Sequence, residues 1–221
     1  MKRSATTFLA PYDIAPSRLD GERLGDILSR ALIIVLFSFM AVRFGADFLQ
    51  TGRLTNLLLL ISEMLVVALT VLRRSAATVD RSVRARLLTT LSLLGPPLVK
   101  PAQVVPVLSP TITVALSVVG LAIVIAGKLT LGRSFGLMPA NRGIVSSGVY
   151  RLVRHPIYLG YLITHVAFLF ATPSVWNVAI LMVGDTALLL RAVCEEQTLA
   201  RDAQYQEYQQ LVRWRVCPGL F

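Results

Sequence analysis

An all-helical membrane protein is the fold class that this sequence predicts, and three features predict it. Hydrophobic residues occupy 55% of the 221 positions and charged residues only 15%, against about 25% charged residues in an ordinary soluble domain. The apolar residues form long runs, and most of the 22 Lys and Arg residues lie between those runs. The formal charge of +10 is therefore not a nucleic-acid-binding patch, and we expect no nucleic-acid partner.

Six membrane crossings are expected, because a helical span needs about 20 apolar residues. The first four runs are residues 27–49, 54–72, 87–107 (interrupted by Pro96 and Pro97) and 111–127. The next run, 157–191, is too long for one helix, and the interruption at 171–174 predicts a tight hairpin of two short spans. Residues 191–211 then predict a helix beyond the membrane, whose apolar side lies back on the protein.

The connections between the runs differ sharply in charge. Segments 1–30, 73–86, 128–154 and 191–221 hold 19 Lys and Arg residues, and the other connections hold 3. Basic connections stay in the cytosol, so we expect both termini there, in a bacterial cytoplasmic (inner) membrane. Cys194 and Cys217 have no His or Cys at metal-ligand spacing, so neither a disulfide nor a metal site is predicted. The sequence leaves the oligomeric state open.

Charged residues inside a span are costly and need an explanation. Glu63 has no partner nearby in the sequence, which leaves two readings, an interhelical structural hydrogen bond or the lining of a polar cavity. His165 and Asp185 fall at nearly the same depth on the two arms of the hairpin, so we expect their side chains to face each other. The pair either holds the helices together or faces a substrate.

The densest group of candidate site residues begins at Arg154. Pro156 suits the first turn of a helix, so the free N–H groups near His155, together with Arg151 and Arg154, favour an anion. The alternative is that these arginines only contact phospholipid headgroups.

The returning arm of the hairpin brings a pair of carboxylates to the same place. Glu195 and Glu196 follow Arg191, at the end of the helix expected beside His155. An anion site opposite carboxylates suits a zwitterionic ligand, with Tyr150, Tyr158 or Tyr161 available to stack on a ring or a cationic centre. The alternative is a solvated helix face paired to Arg191.

These residues form an ordered set of motifs. They read Gly148-Val149-Tyr150, Arg154-His155-Pro156-Ile157-Tyr158, Glu195-Glu196, Tyr205-Gln206-Glu207-Tyr208, and a basic segment from Arg213 to Pro218. The set resembles the isoprenylcysteine carboxyl methyltransferase and phospholipid methyltransferase superfamily of membrane enzymes. The resemblance covers residues 128–221, and residues 1–127 add spans without a motif to the single membrane domain. Val149 stands where the family usually has Pro, and residues 202–204 lack the family's Phe-Gly.

The resemblance implies S-adenosylmethionine in a cytosolic pocket under the C-terminal segment, with a lateral opening for a lipophilic acceptor from the membrane lipids. It implies cofactor binding by Tyr150, Arg154, His155, Pro156, Tyr158, Glu195 and Glu196. A carboxylate acceptor needs no general base, whereas an amine or hydroxyl must lose a proton, for which Glu196 is the candidate. Arg191 is the second catalytic candidate.

Three other functions remain open at this stage. A phospholipid or lipid-amine N-methyltransferase differs only in the acceptor, and a sterol-reductase-like enzyme would use NADPH in a similar pocket. A small transporter would instead use Glu63, His165 and Asp185 as a path through the membrane. O-methylation of a lipophilic carboxylate is the favoured prediction.

Overall fold

The computed structural model describes residues 16–100 and 104–221, with side chains from residue 27 onward. Its helices are α1 (Pro16–Thr51), α2 (Leu54–Leu72), α3 (Val83–Leu98), α4 (Pro110–Leu131), α5 (Pro156–Ala171), α6 (Val175–Leu199) and α7 (Ala203–Leu211). Strand β1 (Thr78–Val79) pairs antiparallel with β2 (Ala140–Asn141). The all-helical prediction is confirmed.

Four of the described helices are long and apolar enough to cross a membrane. They are Ile27–Thr51 within α1, Leu54–Leu72, Pro110–Ser134 and Val175–Leu199. Helices α3 and α5 have 16 residues each, and α5 is strongly apolar. The protein is therefore an integral membrane protein by length and composition of its helices, and six crossings stay a prediction.

The third predicted run is placed wrongly along the chain. The sequence predicts residues 87–107, whereas α3 occupies Val83–Leu98. It begins at Ser82, whose hydroxyl accepts a hydrogen bond from the Ala85 amide at 3.1 Å, as an N-cap does. It ends just after Pro96 and Pro97, because proline has no N–H to continue the helical ladder.

The predicted helix over 191–211 is interrupted. Helix α6 runs to Leu199, and α7 begins after Asp202, whose carboxylate accepts hydrogen bonds from the Gln204 amide at 3.0 Å and the Asn141 side chain at 2.8 Å. The expected apolar side of this segment is confirmed, since α7 packs back on the protein. Its buried cluster contains Tyr150, Tyr205, Tyr208 and Val212.

Helix α4 forms the centre of the packing. It lies against α5 on one side and α2 on another, while α1 packs on α2 and α6 packs on α3. At Gly120 and Gly160 the α4 and α5 backbones touch, because a Cβ on Gly160 would lie 2.5 Å from the Gly120 carbonyl oxygen. The turn between α5 and α6 is short, as predicted. The two helices diverge from this turn, because α5 packs on α4 and α6 packs on α3.

Three connections that the charge pattern assigned to one side do meet at one end. The Arg74 amide donates to the Arg133 carbonyl at 2.8 Å, and the Ala77 amide donates to the Asn141 carbonyl at 2.8 Å. Asn141 in turn contacts Asp202. We call this the basic end, formed by residues 73–82, 132–155 and 200–221. The fourth basic segment, 1–30, falls partly outside the described residues, as does part of the turn after Lys100.

Candidate functional site

A cavity of about 720 Å³ occupies the space that the diverging arms of α5 and α6 leave open. Ligand pockets commonly measure about 300–1,000 Å³. Its wall includes Tyr205 and Tyr208 at the basic end, and Phe39 and Phe44 of α1 farther along. One cavity therefore joins the motif-bearing part of the chain to the helices that precede it.

Glu196 lies at the centre of an ion-pair network beside this cavity, and its side chain is only 4% exposed. Arg154 binds both carboxylate oxygens, with Nε 2.8 Å from Oε1 and Nη2 3.2 Å from Oε2. His155 Nε2 lies 3.2 Å from Oε1, and Arg215 Nε donates to Oε2 at 2.8 Å. The network, Glu196 with Arg154, His155 and Arg215, ties the start of α5 to α6 and to the C-terminus.

The C-terminal strap, residues 212–221, covers the start of α5. The Arg154 amide donates to the Trp214 carbonyl at 2.9 Å, and the His155 amide donates to the Arg215 carbonyl at 2.7 Å. Arg154 Nη1 also donates to the Val212 carbonyl at 2.9 Å. Pro156 opens α5 as predicted. The strap therefore occupies some of the donors that the sequence assigned to an anion, namely those of Arg154 and the His155 amide, and an anion site at the start of α5 stays a prediction.

Glu195 lies nearer the cavity than Glu196 and has a different set of contacts. The Tyr158 hydroxyl donates to Glu195 Oε2 at 2.8 Å. The Tyr158 ring stacks on His155 with centroids 5.1 Å apart, and Arg191 Cζ lies 5.4 Å from the ring centre. The ring of Tyr158 thus already contacts His155 and Arg191, while Tyr158 also lines the cavity, and its stacking on a ligand ring stays a prediction.

Arg191 is buried, at 5% exposure, and lines the cavity. Its Nη2 donates to the Leu137 carbonyl, and its Nε has no hydrogen-bond partner among the described residues. The sequence left open a solvated helix face on which Arg191 pairs with Glu195. The contacts of Arg191 do not form such a face. Leu137 was not a sequence candidate, since a backbone acceptor in a loop leaves no mark in the sequence.

The tyrosines of the basic end form the cavity wall on the other side. The Tyr208 hydroxyl donates to the Tyr150 carbonyl at 2.7 Å, and the Tyr205 and Tyr208 rings meet edge to face at 5.8 Å. The Tyr205 hydroxyl is buried and has no hydrogen-bond partner in the described part of the chain. Burial raises the pKa of Tyr205 far above its usual range, so the hydroxyl keeps its proton and can donate.

This geometry can be compared with known proteins. Residues 112–201 match the isoprenylcysteine carboxyl methyltransferase (ICMT) family. The resemblance read from the motifs is confirmed for this ICMT segment, which holds Arg154, Glu195 and Glu196 and ends before Tyr205. Helices α1 to α3 and the C-terminal strap lie outside it, although α1 and α2 help to line the cavity. No curated protein matches the sequence.

The cavity groups of the ICMT segment and of α7 fit S-adenosylmethionine, the methyl donor that ICMT enzymes generally use. Glu195 offers a carboxylate to a cation, while the Tyr205 hydroxyl is a buried donor without a hydrogen-bond partner in the described structure. Buried donors in native proteins are rarely left unpaired. A ligand that carries both a carboxylate and an ammonium would satisfy groups of both kinds.

The predicted pair across the hairpin is confirmed. His165 Nδ1 lies 2.6 Å from Asp185 Oδ1, and the Tyr161 ring stacks on His165 with centroids 6.3 Å apart. His165 also lines the cavity, so the pair both links α5 to α6 and borders the open space. His165 and Asp185 lie about equally far along the chain from the turn, and this was sufficient to predict the pair from the sequence.

Glu63 lies outside the ICMT segment and has a partner that the sequence did not indicate. Lys128 is fully buried, and its Nζ donates to Ser62 Oγ at 2.7 Å and to the Ser62 carbonyl at 3.0 Å. Ser62 Oγ in turn donates to Glu63 Oε1 at 3.4 Å. The assignment of Lys128 to a cytosolic connection is thus corrected. A lysine at the end of an apolar run can reach outward or inward, and only packing decides between them.

Proposed function

We propose that the protein is an S-adenosylmethionine-dependent methyltransferase that methylates a lipophilic acceptor, with a carboxylate favoured. The match of residues 112–201 to the ICMT family supports the reaction class. The observation that carries the proposal is the single cavity that joins the polar groups of the basic end to apolar side chains of α1. A polar cofactor and a lipid can meet in such a space.

Two cavity groups bind the cofactor in this proposal. Glu195 accepts a charge-assisted hydrogen bond from the ammonium group, and the Tyr205 hydroxyl donates to a polar atom of the ligand. When bound, S-adenosylmethionine supplies a methyl group open to in-line displacement. The protein contributes alignment and exclusion of water, which suits a buried cavity.

Arg154, His155 and Glu196 act as positioning residues rather than as ligand contacts. Both Glu196 oxygens are engaged by cationic or ring nitrogen donors, which leaves a poor proton acceptor. The sequence assigned Glu196 the role of general base. In this proposal Glu196 instead holds the strap over α5. Glu196 stays essential in this proposal, because the strap that it holds fixes the start of α5, where His155 and Tyr158 line the cavity.

The acceptor contact is assigned to Arg191. Its Nε, buried and without a described hydrogen-bond partner, suits an acceptor carboxylate. A carboxylate attacks without losing a proton, so no base is needed. With Glu196 engaged elsewhere, this favours O-methylation over methylation of a lipid amine, which stays the second candidate.

The topology belongs to the same proposal. We place six crossings in a bacterial cytoplasmic membrane, with both termini and the basic end in the cytosol, because the basic connections meet at that end. Reporter fusions at Phe221 check this, and activity of the reporter only in the periplasm would refute it.

Calorimetry on purified protein in detergent tests the cofactor. The parent should bind S-adenosylmethionine, and Glu195→Gln should raise the dissociation constant about tenfold to hundredfold, as loss of a charge-assisted hydrogen bond does. Glu207→Gln, an exposed carboxylate on α7, is the matched control and should bind as the parent does. Affinity for NADPH without affinity for S-adenosylmethionine would favour the reductase, and affinity for neither would favour the transporter.

A second assay identifies the transferred bond. Membranes that contain the protein are incubated with methyl-labelled cofactor, and the lipid extract is treated with alkali. A methyl ester releases its label as volatile methanol, whereas an N-methyl group keeps it. Release that depends on Arg191 supports a carboxylate acceptor, and alkali-stable label in the lipid would refute it in favour of an amine or hydroxyl acceptor.

A further inference from the structure

The cavity wall includes a buried acidic group that belongs to the N-terminal half of the chain. Glu63 lies on α2, is 7% exposed and lines the cavity. One carboxylate oxygen, Oε1, accepts from Ser62, while Oε2 is buried and has no hydrogen-bond partner among the described residues. A buried carboxylate oxygen left in this state is unusual and calls for a donor.

The groups around Glu63 come from its own helix and from α4 and α5. Lys128 of α4 directs both of its described hydrogen bonds to Ser62, and its Nζ lies 5.8 Å from the Tyr161 ring centre of α5. The Tyr161 hydroxyl lies within electrostatic range of both Glu63 and Arg191 of α6. Lys128 thus uses two of its three N–H groups on Ser62 and stays electrostatically coupled to Glu63, while Glu63 Oε2 has no hydrogen-bond partner among the described residues.

Glu63 and the proposed acceptor contact line the same cavity. Glu63 lies on α2 and Arg191 on α6, and both belong to the cavity wall. Arg191 Nε is a buried donor and Glu63 Oε2 a buried acceptor, each without a hydrogen-bond partner in the described part of the chain. One molecule in the cavity can therefore meet a donor at Arg191 and an acceptor at Glu63.

We propose that Glu63 forms a second polar subsite, which binds a hydroxyl or ammonium group of the methyl acceptor. The inference rests on the proposed function for the identity of the ligand as an acceptor. A carboxylate oxygen repels an anion and accepts a hydrogen bond from a donor group. The carboxylate of the methyl acceptor therefore belongs at Arg191, and a hydrogen-bond-donating group of the same molecule belongs at Glu63. The substrate class is then a lipophilic acid with a second, hydrogen-bond-donating group.

A competition assay tests the subsite without relying on methyl transfer. Tritiated 1-hexadecanol is bound to the purified protein in nanodiscs and displaced by unlabelled 1-hexadecanol, hexadecylamine or hexadecyl methyl ether. The ether has the same chain and an oxygen but no donor. For the parent, the alcohol and the amine should compete about tenfold to hundredfold better than the ether, which is the usual effect of one hydrogen bond to a charged group.

Variants assign that preference to Glu63. Because Glu63→Ala leaves Lys128 buried without a carboxylate nearby, the change is also made together with Lys128→Met, which removes both charges. The preference for donors should disappear in the double variant. Ser92→Ala is the matched control, since Ser92 lines the same cavity and its hydroxyl donates to the Thr89 carbonyl at 2.9 Å; there the preference should persist.

Each result decides one question. Equal competition by the ether and the alcohol on the parent would overturn the subsite, and so would a donor preference that survives the double variant. Absence of S-adenosylmethionine affinity in the calorimetric assay would overturn the proposed function instead. A donor preference without that affinity would mean that Glu63 binds a ligand other than a methyl acceptor, which overturns the inference as stated.

Discussion

Glu196 and Glu63 are both almost completely buried, yet their surroundings differ. Glu196, in the ICMT segment, has both oxygens bound by Arg154, His155 and Arg215. Glu63, on α2, has one oxygen bound by Ser62 and one without a described partner. Burial of a carboxylate thus does not indicate its role. A carboxylate with every oxygen paired holds the fold together, and one with a free oxygen is available to a ligand.

The largest expected effect tests the structural side of this comparison. Glu196→Ala leaves Arg154 and its neighbours without their counter-charge, and breaking a buried ion pair in this way typically costs about 3–5 kcal/mol. Unfolding of the purified variant in detergent, followed by circular dichroism, measures the loss. Glu207→Ala, at an exposed position of α7, is the control and should be near neutral. Parental stability combined with lost methyl transfer would contradict the comparison and restore a catalytic Glu196.

An intermediate effect distinguishes the packing of the two halves. Gly160→Ala forces a Cβ to within 2.5 Å of the Gly120 carbonyl oxygen, so α4 and α5 must separate. Overpacking of this kind typically costs about 1–3 kcal/mol. Gly45→Ala, where α1 faces Leu60 at an ordinary 3.7 Å, is the matched control and should be tolerated. The same unfolding measurement compares the two variants. Equal losses of stability would show that the α4–α5 contact is not tighter than the α1–α2 contact.

The smallest effect concerns His165, which lines the cavity, and its partner Asp185. Asp185→Asn keeps the shape and removes the charge, so we expect a loss of about 1 kcal/mol, near the usual value for one hydrogen bond. Acceptor KM and stability are measured together. A change in KM much larger than the change in stability would assign the pair to the acceptor site. A change in stability much larger than the change in KM would show that the pair mainly holds the hairpin together.

Local patterns in the sequence predicted much of the framework. Helix α2 has the predicted bounds, Pro156 begins α5, and residues 172–174 form the turn before α6. These features depend on apolar run length and on proline geometry, which are properties of neighbouring residues. The end of α3 was predicted wrongly, because the apolar residues continue beyond Pro97. The prediction gave the length of this apolar stretch more weight than the N–H groups that the two prolines lack.

The sequence by itself determined that this protein is a helical membrane protein, which connections are basic, and which motifs resemble a family of membrane methyltransferases. Those properties are local or compositional. The tertiary structure alone decided how the charged groups pair: Arg154 with Glu196, Lys128 with Ser62, and Glu63 with one oxygen left for a ligand. The reason is physical, because a buried charge is satisfied by whichever group packing brings within hydrogen-bond distance. Partners separated by 42 or 66 residues carry no mark of each other in the chain.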